Sequence, residues 1–361
     1  MSYDAAVLAD NPKGYWKLDE ASGTSLADSS GNNKTMTLIG TNGPWLRDDP
    51  LYKTLSNRSL FFNGNQQYAF RNYEVYFNFT QVTMEQWFYF PVGASLGFGL
   101  SKVELGGYAL LCGPTSMRAD IFKNGAYISN TIVAFTYINR PRHCVSTFDG
   151  RYVRQYVDGQ LIHTVDSGSS GVIQYGANVS LMIGANPADT GSGIQAGNPA
   201  NGRLSNVALY NYALSPERVA AHYEAAKKHV VGSIVESLVA TDFKINAIDT
   251  DGDLVGSAMV NGASFDLDVY TYKPVFLTVY PDQGDAWQPS KAYELNQKVF
   301  PANPIATPYY YKRLSAGTSG ATEPTWPTTP GGRCNDGAVT DAWELVERLS
   351  QPITHGPLTP T

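Results

Sequence analysis

Two short apolar segments, each ending in Asp-Gly, constrain this sequence more than any other feature. The first runs from Cys144 to Phe148 and ends at Asp149-Gly150, and the second runs from Arg154 to Val157 and ends at Asp158-Gly159. Asp-Gly favours tight turns between antiparallel strands, because both residues tolerate the positive φ that such turns need. The sequence therefore predicts successive β-hairpins.

Other parts of the chain support the same fold class. Val82 to Phe90 carries aromatic residues on both alternating faces, which predicts a central strand covered on both sides. Charged residues make up only 16% of the 361 residues, whereas 34 Gly, 21 Pro and 23 Tyr favour turns and pleated surfaces. We therefore predict an all-β protein and neither a helical bundle nor a disordered chain.

One helix is predicted over residues 215–228. Ser215 can cap its first turn, and Pro216 stands at the first helical position, where a missing N–H costs nothing. Val219, Tyr223 and Ala226 fall on one stripe of this helix, which predicts packing against a sheet. We place a domain boundary near residue 229.

Two small β modules are predicted after this boundary. Residues 229–286 alternate in a way that indicates a small β-sandwich, and residues 287–361 form a Pro-rich module. The second module needs an aromatic nucleus, for which Trp287, Tyr310, Trp326 and Trp343 are the candidates. Its end, Gln351 to Thr361, is predicted to be an extended tail or a strand that contacts a partner.

Charge and cysteine content exclude several classes. The formal net charge is −6 without a Lys/Arg cluster, so no nucleic-acid partner is expected. No stretch approaches the ~18 apolar residues of a membrane span, and no secretory signal is visible, so we expect synthesis in the cytoplasm. The three cysteines, Cys112, Cys144 and Cys334, are expected to be reduced thiols buried as small hydrophobic residues.

No catalytic constellation is found in the sequence, so we predict that the protein is not an enzyme. The Glu-x-Asp-x-x-Glu spacing of glucanases does not occur, and Glu85 is alone on its strand, where we expect it to be solvated or hydrogen-bonded. The five histidines show no metal-ligand spacing, and no nucleophile elbow or phosphate loop is present. No cofactor is expected to be required.

Asp249, Asp251 and Asp253 invite comparison with a calcium loop. An EF-hand loop needs Gly at position six and Glu at position twelve, where this sequence has Leu254 and Val260. A hairpin turn is therefore the favoured interpretation.

The first part of the chain resembles a known family. Tyr15 to Gly23 followed by Ala27 to Asn32 is similar to the start of laminin-G-like domains of the concanavalin A-like lectin/glucanase superfamily, and Gly202 to Ser215 is similar to their closing segment. Thr147 to Gly150, which precedes Tyr156 to Gly159, is a further match in the same order. The resemblance implies a two-sheet antiparallel jelly roll over residues 1–228.

The same resemblance implies a possible structural calcium ion at Asp28. Many laminin-G-like domains hold calcium with the Asp of this segment and backbone carbonyls, oxygen ligands of the kind that calcium prefers. The family usually has an acidic residue in the closing strand, where this chain has Ser205 and Asn206. The alternative is that Asp28 forms an Asx-turn.

The end of the chain resembles a small module of bacteriophage virion proteins. The resemblance rests on Trp287, on the run from Gly317 to Pro327, on Asp336-Gly337 and on Trp343. Residues 229–286 are similar to carboxypeptidase-regulatory or fibronectin-like sandwiches that accompany phage tail proteins. Together the modules imply a virion protein.

Three functions follow as hypotheses. The first is a tail-fibre, tail-tip or receptor-binding protein that attaches to a host-surface glycan. The second is a head fibre or capsid decoration protein without a ligand, and the third is a secreted bacterial carbohydrate-binding module. The virion hypotheses imply other virion proteins as partners and self-association through residues 230–361, as a trimer by analogy with phage fibres.

Overall fold

The structure is a computed structural model. It describes residues 1–40, 45–48, 50–52, 54–55, 58–90, 94–128, 132–134, 141–176, 178–188, 198–233, 242–261, 264–271, 273–281, 283–348 and 353–361. The chain divides into two compact units, Met1–Lys228 (unit 1) and His229–Thr361 (unit 2). Neither described helix has the length and apolar composition that crossing a membrane requires.

Unit 1 begins and ends with a helix and has strands between them. The elements are α1 (Tyr3–Ala9), β1 (Gly14–Trp16), β2 (Ser25–Leu26), β3 (Met36–Ile39), β4 (Leu46–Asp48), β5 (Ser59–Asn63), β6 (Tyr68–Arg71), a 3-10 turn (Val75–Phe77), β7 (Val82–Tyr89), β8 (Gly97–Val103), β9 (Gly107–Cys112), β10 (Ser116–Lys123), β11 (Ala126–Tyr127), β12 (Ile132–Ala134), β13 (Arg142–Phe148), β14 (Tyr152–Val157), β15 (Gln160–Asp166), β16 (Leu181–Ile183), β17 (Asn201–Tyr210) and α2 (Pro216–Ala225).

The strands of unit 1 form two antiparallel sheets, as the all-β jelly-roll prediction requires. Sheet I has the order β15-β14-β13-β7-β17-β5-β4, and β1 also pairs with β17. Sheet II has the order β11-β10-β9-β8-β16-β6-β3-β2, and β12 pairs with β10. The inner faces of both sheets meet in one hydrophobic core that includes Trp16, Leu100 and Leu204. The predicted fold class is confirmed.

The strand predicted to be covered on both sides lies in the middle of sheet I. On β7, Val82, Met84 and Phe88 face the core between the sheets, and Trp87 faces a second cluster outside sheet I. The two helices contribute Tyr3 and Val219 to that second cluster. The two helices therefore cover the outer face of sheet I.

The helix predicted over residues 215–228 is present as α2. The Ser215 hydroxyl accepts a hydrogen bond from the Arg218 backbone N–H, as expected of the N-cap residue. Val219 and Ala226 are buried against sheet I, and Tyr223 packs beside them. Helix α1 was missed, because its seven residues give too short a sequence for a helical period to be recognised.

Unit 2 contains further strands. They are β18 (Lys228–Ser233), β19 (Asp242–Asp249), β20 (Leu254–Asn261), β21 (Ser264–Val269), β22 (Val275–Pro281), β23 (Asp285–Ala286), β24 (Ala292–Tyr293), β25 (Lys298–Phe300), β26 (Tyr309–Arg313), β27 (Gly317–Thr318), β28 (Arg333–Asp336), β29 (Val339–Arg348) and β30 (Ile353–Leu358). The larger sheets have the orders β20-β19-β22-β30 and β23-β25-β26-β29-β28, and β18 pairs with β21 and β24 with β27.

The end of the chain is part of a sheet in this structure and not an extended tail. Strand β30 pairs antiparallel with β22, so residues 353–358 extend the sheet of the segment that we predicted to end near residue 286. Leu358 packs against the hydrophobic cluster formed by β19 to β22, which includes Ile245 and Leu277. The edge of β22 and this apolar contact explain why the segment is ordered as a strand.

A buried carboxylate organises the aromatic nucleus of residues 287–345. Asp336 Oδ2 accepts hydrogen bonds from the indole N–H groups of Trp287 (3.2 Å) and Trp343 (2.7 Å) and from Arg313 Nη1 (3.1 Å). Asp336 Oδ1 accepts from the Gly320 backbone N–H at 2.7 Å. Several residues that carry the resemblance to virion modules therefore build the core of this segment.

One predicted member of that nucleus differs. Tyr311 and not Tyr310 packs with Trp343 and Trp326, although both tyrosines are buried. The pairing of β26 with β29 shifts register between Tyr310 and Tyr311, and such a bulge changes which side chain faces the core.

Candidate functional site

Asp28 lies in a turn that contacts β1. Its Oδ1 accepts hydrogen bonds from the backbone N–H groups of Tyr15 and Ser30, both at 2.9 Å, and its Oδ2 accepts from that of Lys34 at 2.8 Å. These contacts match the Asx-turn alternative. Asn206, in the closing strand, accepts a hydrogen bond from the Tyr15 hydroxyl at 2.7 Å. The calcium ion at Asp28 stays a prediction.

The three aspartates after β19 also meet in the structure. One carboxylate oxygen from each of Asp249, Asp251 and Asp253 lies within 4.8 Å of the others. Asp249 Oδ1 accepts hydrogen bonds from the backbone N–H groups of Asp251 and Asp253, and the Lys273 ammonium contacts Asp251. The arrangement is that of the predicted hairpin turn, in which backbone donors and a lysine neutralise the carboxylates.

A buried network on the outer face of sheet I was not predicted. Glu85 Oε1 accepts hydrogen bonds from the Tyr3 hydroxyl (2.7 Å), from His143 Nε2 (2.8 Å) and from His222 Nδ1 (3.1 Å). Glu85 Oε2 accepts from the Tyr210 hydroxyl at 2.9 Å and from His222 Nδ1 at 3.0 Å. We call Glu85 and these four side chains, which are all 0% exposed, the Glu85 network.

The contacts of His222 fix its charge. Its Nδ1 faces Glu85, and its Nε2 lies 2.8 Å from Asp10 Oδ2, so both ring nitrogens must carry protons to donate. Burial lowers the pKa of His222, but the charges and hydrogen bonds of Glu85 and Asp10 outweigh this effect and raise it overall. His222 is therefore an imidazolium held between two carboxylates.

Glu85 is ionised for the complementary reason. Burial raises the pKa of Glu85, but the charge of His222 and the hydrogen bonds of both histidines hold it well below its usual range. Burial, together with the charge of Glu85, raises the pKa values of Tyr3 and Tyr210, so both hydroxyls remain donors. The network is closed to solvent, and its geometry supports a structural role under α1 and α2.

We expected Glu85 to be solvated or hydrogen-bonded, and it is hydrogen-bonded and fully buried. One sequence signal pointed in this direction. A strand covered on both faces that contains a glutamate needs buried partners for the charge, because unpaired charges are almost never fully buried. The partners themselves come from residues 3, 143, 210 and 222, so no local spacing identified them.

The candidate ligand surface lies on the outer face of sheet II. Met117, Ala119 and Ile121 of β10 face the core, so strand alternation places Arg118 and Asp120 on the outer face. The surrounding loops and strands add further polar side chains to the same region. We call this set the sheet II patch: Glu104, Arg118, Asp120, Tyr127 and Asn186.

The side chains of the sheet II patch are ordered by separate hydrogen bonds. Arg118 Nη2 donates to Asp120 Oδ2 at 2.8 Å, and Asn186 Nδ2 donates to Glu104 Oε1 at 2.6 Å. The Tyr127 hydroxyl lies 3.3 Å from both the backbone N and the carbonyl O of Gly106. These contacts order the side chains of β10 and join the segment after β8 to the segment after β16 and to β11.

Two polar atoms of the patch lie below the protein surface. In the part of the chain that the structure describes, Arg118 Nε and Asn186 Oδ1 are buried without a hydrogen-bond partner. Burial raises the pKa of Asp120 although Arg118 opposes it, and burial plus the charges of Glu104 and Asp120 raise the pKa of Tyr127. Both carboxylates thus act on the same hydroxyl.

Aromatic and apolar groups adjoin these polar atoms. Tyr127 is 42% exposed and contacts Phe122 edge to face, with 5.0 Å between ring centroids. Leu105, which follows Glu104 in sequence, is exposed. Phe98 and Leu111 are buried on the same face of sheet II. Donors, acceptors and an exposed ring next to an apolar floor suit a polyhydroxylated ligand.

Comparisons with known proteins agree with the fold of unit 1. Residues 62–220 match the family model described as the concanavalin A-like lectin/glucanases superfamily, which confirms a domain of this kind in unit 1. No curated protein sequence matches the chain.

The solved structures to which the chain is similar are distant in sequence. Domain 4 of AbnA, an extracellular arabinanase from Geobacillus stearothermophilus, in complex with arabinotriose, is 15% identical over 59% of this chain and 98% of that chain, with a TM-score of 0.44. The binding domain of Paraclostridial Mosquitocidal Protein 1 is 12% identical over 94% and 76%, with a TM-score of 0.46. The botulinum neurotoxin serotype D binding domain is 12% identical over 97% and 81%, with a TM-score of 0.45.

Proposed function

We propose that the chain is a non-catalytic binding protein of a bacteriophage virion, in which unit 1 holds a host-surface glycan on the sheet II patch. The observation that carries the glycan proposal is the exposed ring of Tyr127, whose hydroxyl is influenced by both carboxylates of the sheet II patch, Glu104 and Asp120. An exposed aromatic ring next to polar side chains is the combination that sugar rings contact.

A sugar fits this surface chemically. Its hydroxyl groups donate to carboxylates such as Glu104 and Asp120 and accept from Arg118. The carbon face of a sugar ring packs against an aromatic side chain such as Tyr127. The clustering of both functions on one sheet face supports a saccharide more than an apolar ligand.

A glycan array probed with the full chain tests this proposal, followed by titration of the best hit. We expect Arg118→Ala to lower the affinity for that glycan about tenfold or more, because the loss of a charged donor costs about 1.5–3 kcal/mol. Tyr127→Ala is expected to weaken it similarly. Arg154→Ala, on sheet I, is the matched control and should leave binding unchanged. Absence of any glycan hit, or equal loss in the control, would contradict the site.

The virion part of the proposal rests on residues 287–345. The residues that carry the resemblance to virion modules, Trp287, Asp336 and Trp343, form the core of that segment. A tail-fibre, tail-tip or receptor-binding position is the version we propose.

Mass spectrometry of purified phage particles tests the virion role, and sedimentation of the full chain tests self-association. Presence in particles together with a glycan hit supports the proposal. Presence without any glycan hit favours the head-fibre or decoration alternative. Absence from particles with glycan binding favours the secreted carbohydrate-binding module.

The absence of catalysis is part of the same proposal. The carboxylates of the sheet II patch are engaged with Arg118 and Asn186, and Glu85 is buried under the helices. We expect no hydrolysis of a bound polysaccharide by the full chain. Release of reducing ends that Asp120→Asn or Glu104→Gln abolishes would show that the protein is a glycosidase.

A further inference from the structure

Two cysteines from opposite sheets meet in the core of unit 1. Cys112 is the last residue of β9 in sheet II, and Cys144 lies on β13 in sheet I. Both are 0% exposed, both belong to the core between the sheets, and both are free thiols in this structure. The sequence analysis treated them as separate small hydrophobic residues.

Gln86 of β7 brings the two strands together. It lies directly opposite Cys144 in the pairing of β7 with β13. Its side chain crosses to sheet II, where Nε2 lies 3.3 Å from Cys112 Sγ and Oε1 accepts the Leu100 backbone N–H at 3.2 Å. The same side chain therefore touches one cysteine and pairs in register with the other.

A glycine makes this crossing possible. A Cβ atom on Gly99 would lie 2.0 Å from Gln86 Oε1, so only glycine leaves space for the amide. Cα atoms of β7 come within 8 Å of Cα atoms of β9, and those of β10 within 8 Å of those of β13. Packed sheets are ordinarily about 10 Å apart, so the sandwich is narrower than usual where these strands cross.

Narrow spacing is what a bond between sheets requires. A disulfide joins residues whose Cα atoms are about 4.4–6.8 Å apart, and immunoglobulin-type sandwiches contain such a bond between their sheets. The neighbouring Cys112 thiol, together with burial, raises the pKa of Cys144 well above its ordinary value.

We propose that Cys112 and Cys144 form a disulfide across the sandwich when the chain folds in the presence of a low-molecular-weight disulfide such as oxidised glutathione. One cysteine thiolate attacks the small disulfide and releases one small thiol. The second cysteine thiolate then attacks the mixed disulfide and releases the other. The protein loses two hydrogen atoms, and one small disulfide is reduced to two thiols.

The folded chain reacts slowly in both directions. The thiolate is the reactive form, and a buried thiol with a raised pKa supplies little of it. Complete burial also keeps small disulfides and reductants away from both sulfur atoms. The redox state of the pair is therefore set while the chain folds and is retained afterwards.

Refolding of the full chain tests the proposal. We compare refolding in a mixture of reduced and oxidised glutathione with refolding in excess dithiothreitol, then denature, alkylate with iodoacetamide and measure intact mass. The oxidised sample should carry one alkyl group, on Cys334, and the reduced sample three. A digest should contain a peptide pair linked through Cys112 and Cys144. Folded reduced protein given oxidised glutathione should keep three alkylatable thiols for much longer than the refolding time.

Two variants control the assignment. Cys334→Ala should still lose two hydrogen atoms on oxidative refolding, whereas Cys144→Ala should not. Three alkylated cysteines after oxidative refolding of the unaltered chain would overturn the proposal, and so would a linked peptide pair that includes Cys334. Because these results come from the unaltered chain, they do not depend on whether Cys144→Ala folds.

Discussion

Each unit of the chain contains a fully buried carboxylate among several side-chain donors, but the donors differ in kind. Around Glu85 they are two tyrosine hydroxyls and two imidazoles. Around Asp336 they are two indole N–H groups, a guanidinium and a backbone N–H. Indole and guanidinium groups do not change charge near neutral pH, whereas imidazole does. Two sites with similar hydrogen bonding should therefore respond differently to pH.

The surroundings differ as well. The Glu85 network lies between a sheet and two helices, next to a large core. His222 carries the positive charge between Glu85 and Asp10, and Arg218 donates a further hydrogen bond to Asp10. Asp336 and Arg313 lie inside a small aromatic nucleus, where Arg313 also stacks 4.7 Å from the Trp343 ring centroid. A small module has little apolar surface to bury, so its polar centre carries a larger share of its stability.

Removal of either carboxylate should have the largest effect. Asp336→Ala leaves the buried Arg313 guanidinium without its carboxylate, and Glu85→Ala removes one of the two carboxylates that hold His222 together with the shared acceptor of the Glu85 network. We expect each change to cost about 3–5 kcal/mol. Urea unfolding followed by tryptophan fluorescence and circular dichroism measures the loss. Glu224→Ala and Glu294→Ala, at exposed positions in the same units, should change stability by no more than about 0.5 kcal/mol. A loss below about 1 kcal/mol in either buried variant would show that its network is not a stabilising unit.

The pH response should separate the two networks. The raised pKa of His222 means that its contribution is fully present below the unfolded value of about 6.5 and is lost as pH rises through the folded value. The lowered pKa of Glu85 means that its contribution is present above about 4.3 and is lost as pH falls through the folded value. Stability at this network is thus greatest between these two limits.

Hydrogen exchange with mass spectrometry measures this response, after correction for the intrinsic dependence of exchange on pH. Peptides of α1 and α2 should open more readily as pH rises above neutrality, whereas peptides of β29 should not. The other titratable or charged groups that affect the pH response are those in contact with Glu85, His222 or Asp10. They are Tyr3, Asp10, His143, Tyr210 and Arg218. His222→Gln should remove most of the alkaline response. An equal response in β29 peptides would refute the contrast between the units.

A single donor should matter least. Tyr3→Phe removes one of the hydrogen bonds to Glu85 and leaves the other donors in place, so we expect a loss of about 0.5–1.5 kcal/mol. Tyr152→Phe on β14 is the matched control. Equilibrium unfolding at neutral pH distinguishes the two variants. If both cost the same, the Tyr3 hydroxyl contributes nothing specific to the Glu85 network.

The sequence predicted what depends on local patterns. Asp-Gly turns and alternation identified β13, β14 and the central β7, and Ser215 with Pro216 identified the start of α2. The same local reasoning identified the Asp249 to Asp253 turn. These features depend on residues within a few positions of each other, for which propensities and spacing carry the information.

Features that depend on distant residues were not predicted. Tyr3 and Glu85 are separated by 82 positions, and Glu85 and His222 by 137, so only the completed fold brings them together. The sheet II patch needs the outward faces of several strands, and sequence alone left open which tyrosines are exposed. The approach of Cys112 to Cys144 depends on one glycine and one glutamine on other strands.

The separation between Glu85 and His222 has a consequence for synthesis. At roughly 5–20 residues per second, a ribosome needs on the order of 10 s to add the 137 residues between them. Late in that interval the nascent chain has Glu85, Trp87 and Val145 but not the helix that covers them. Chains released early by truncated messages would expose this apolar strand surface, which makes them candidates for capture by ribosome-associated chaperones and for degradation.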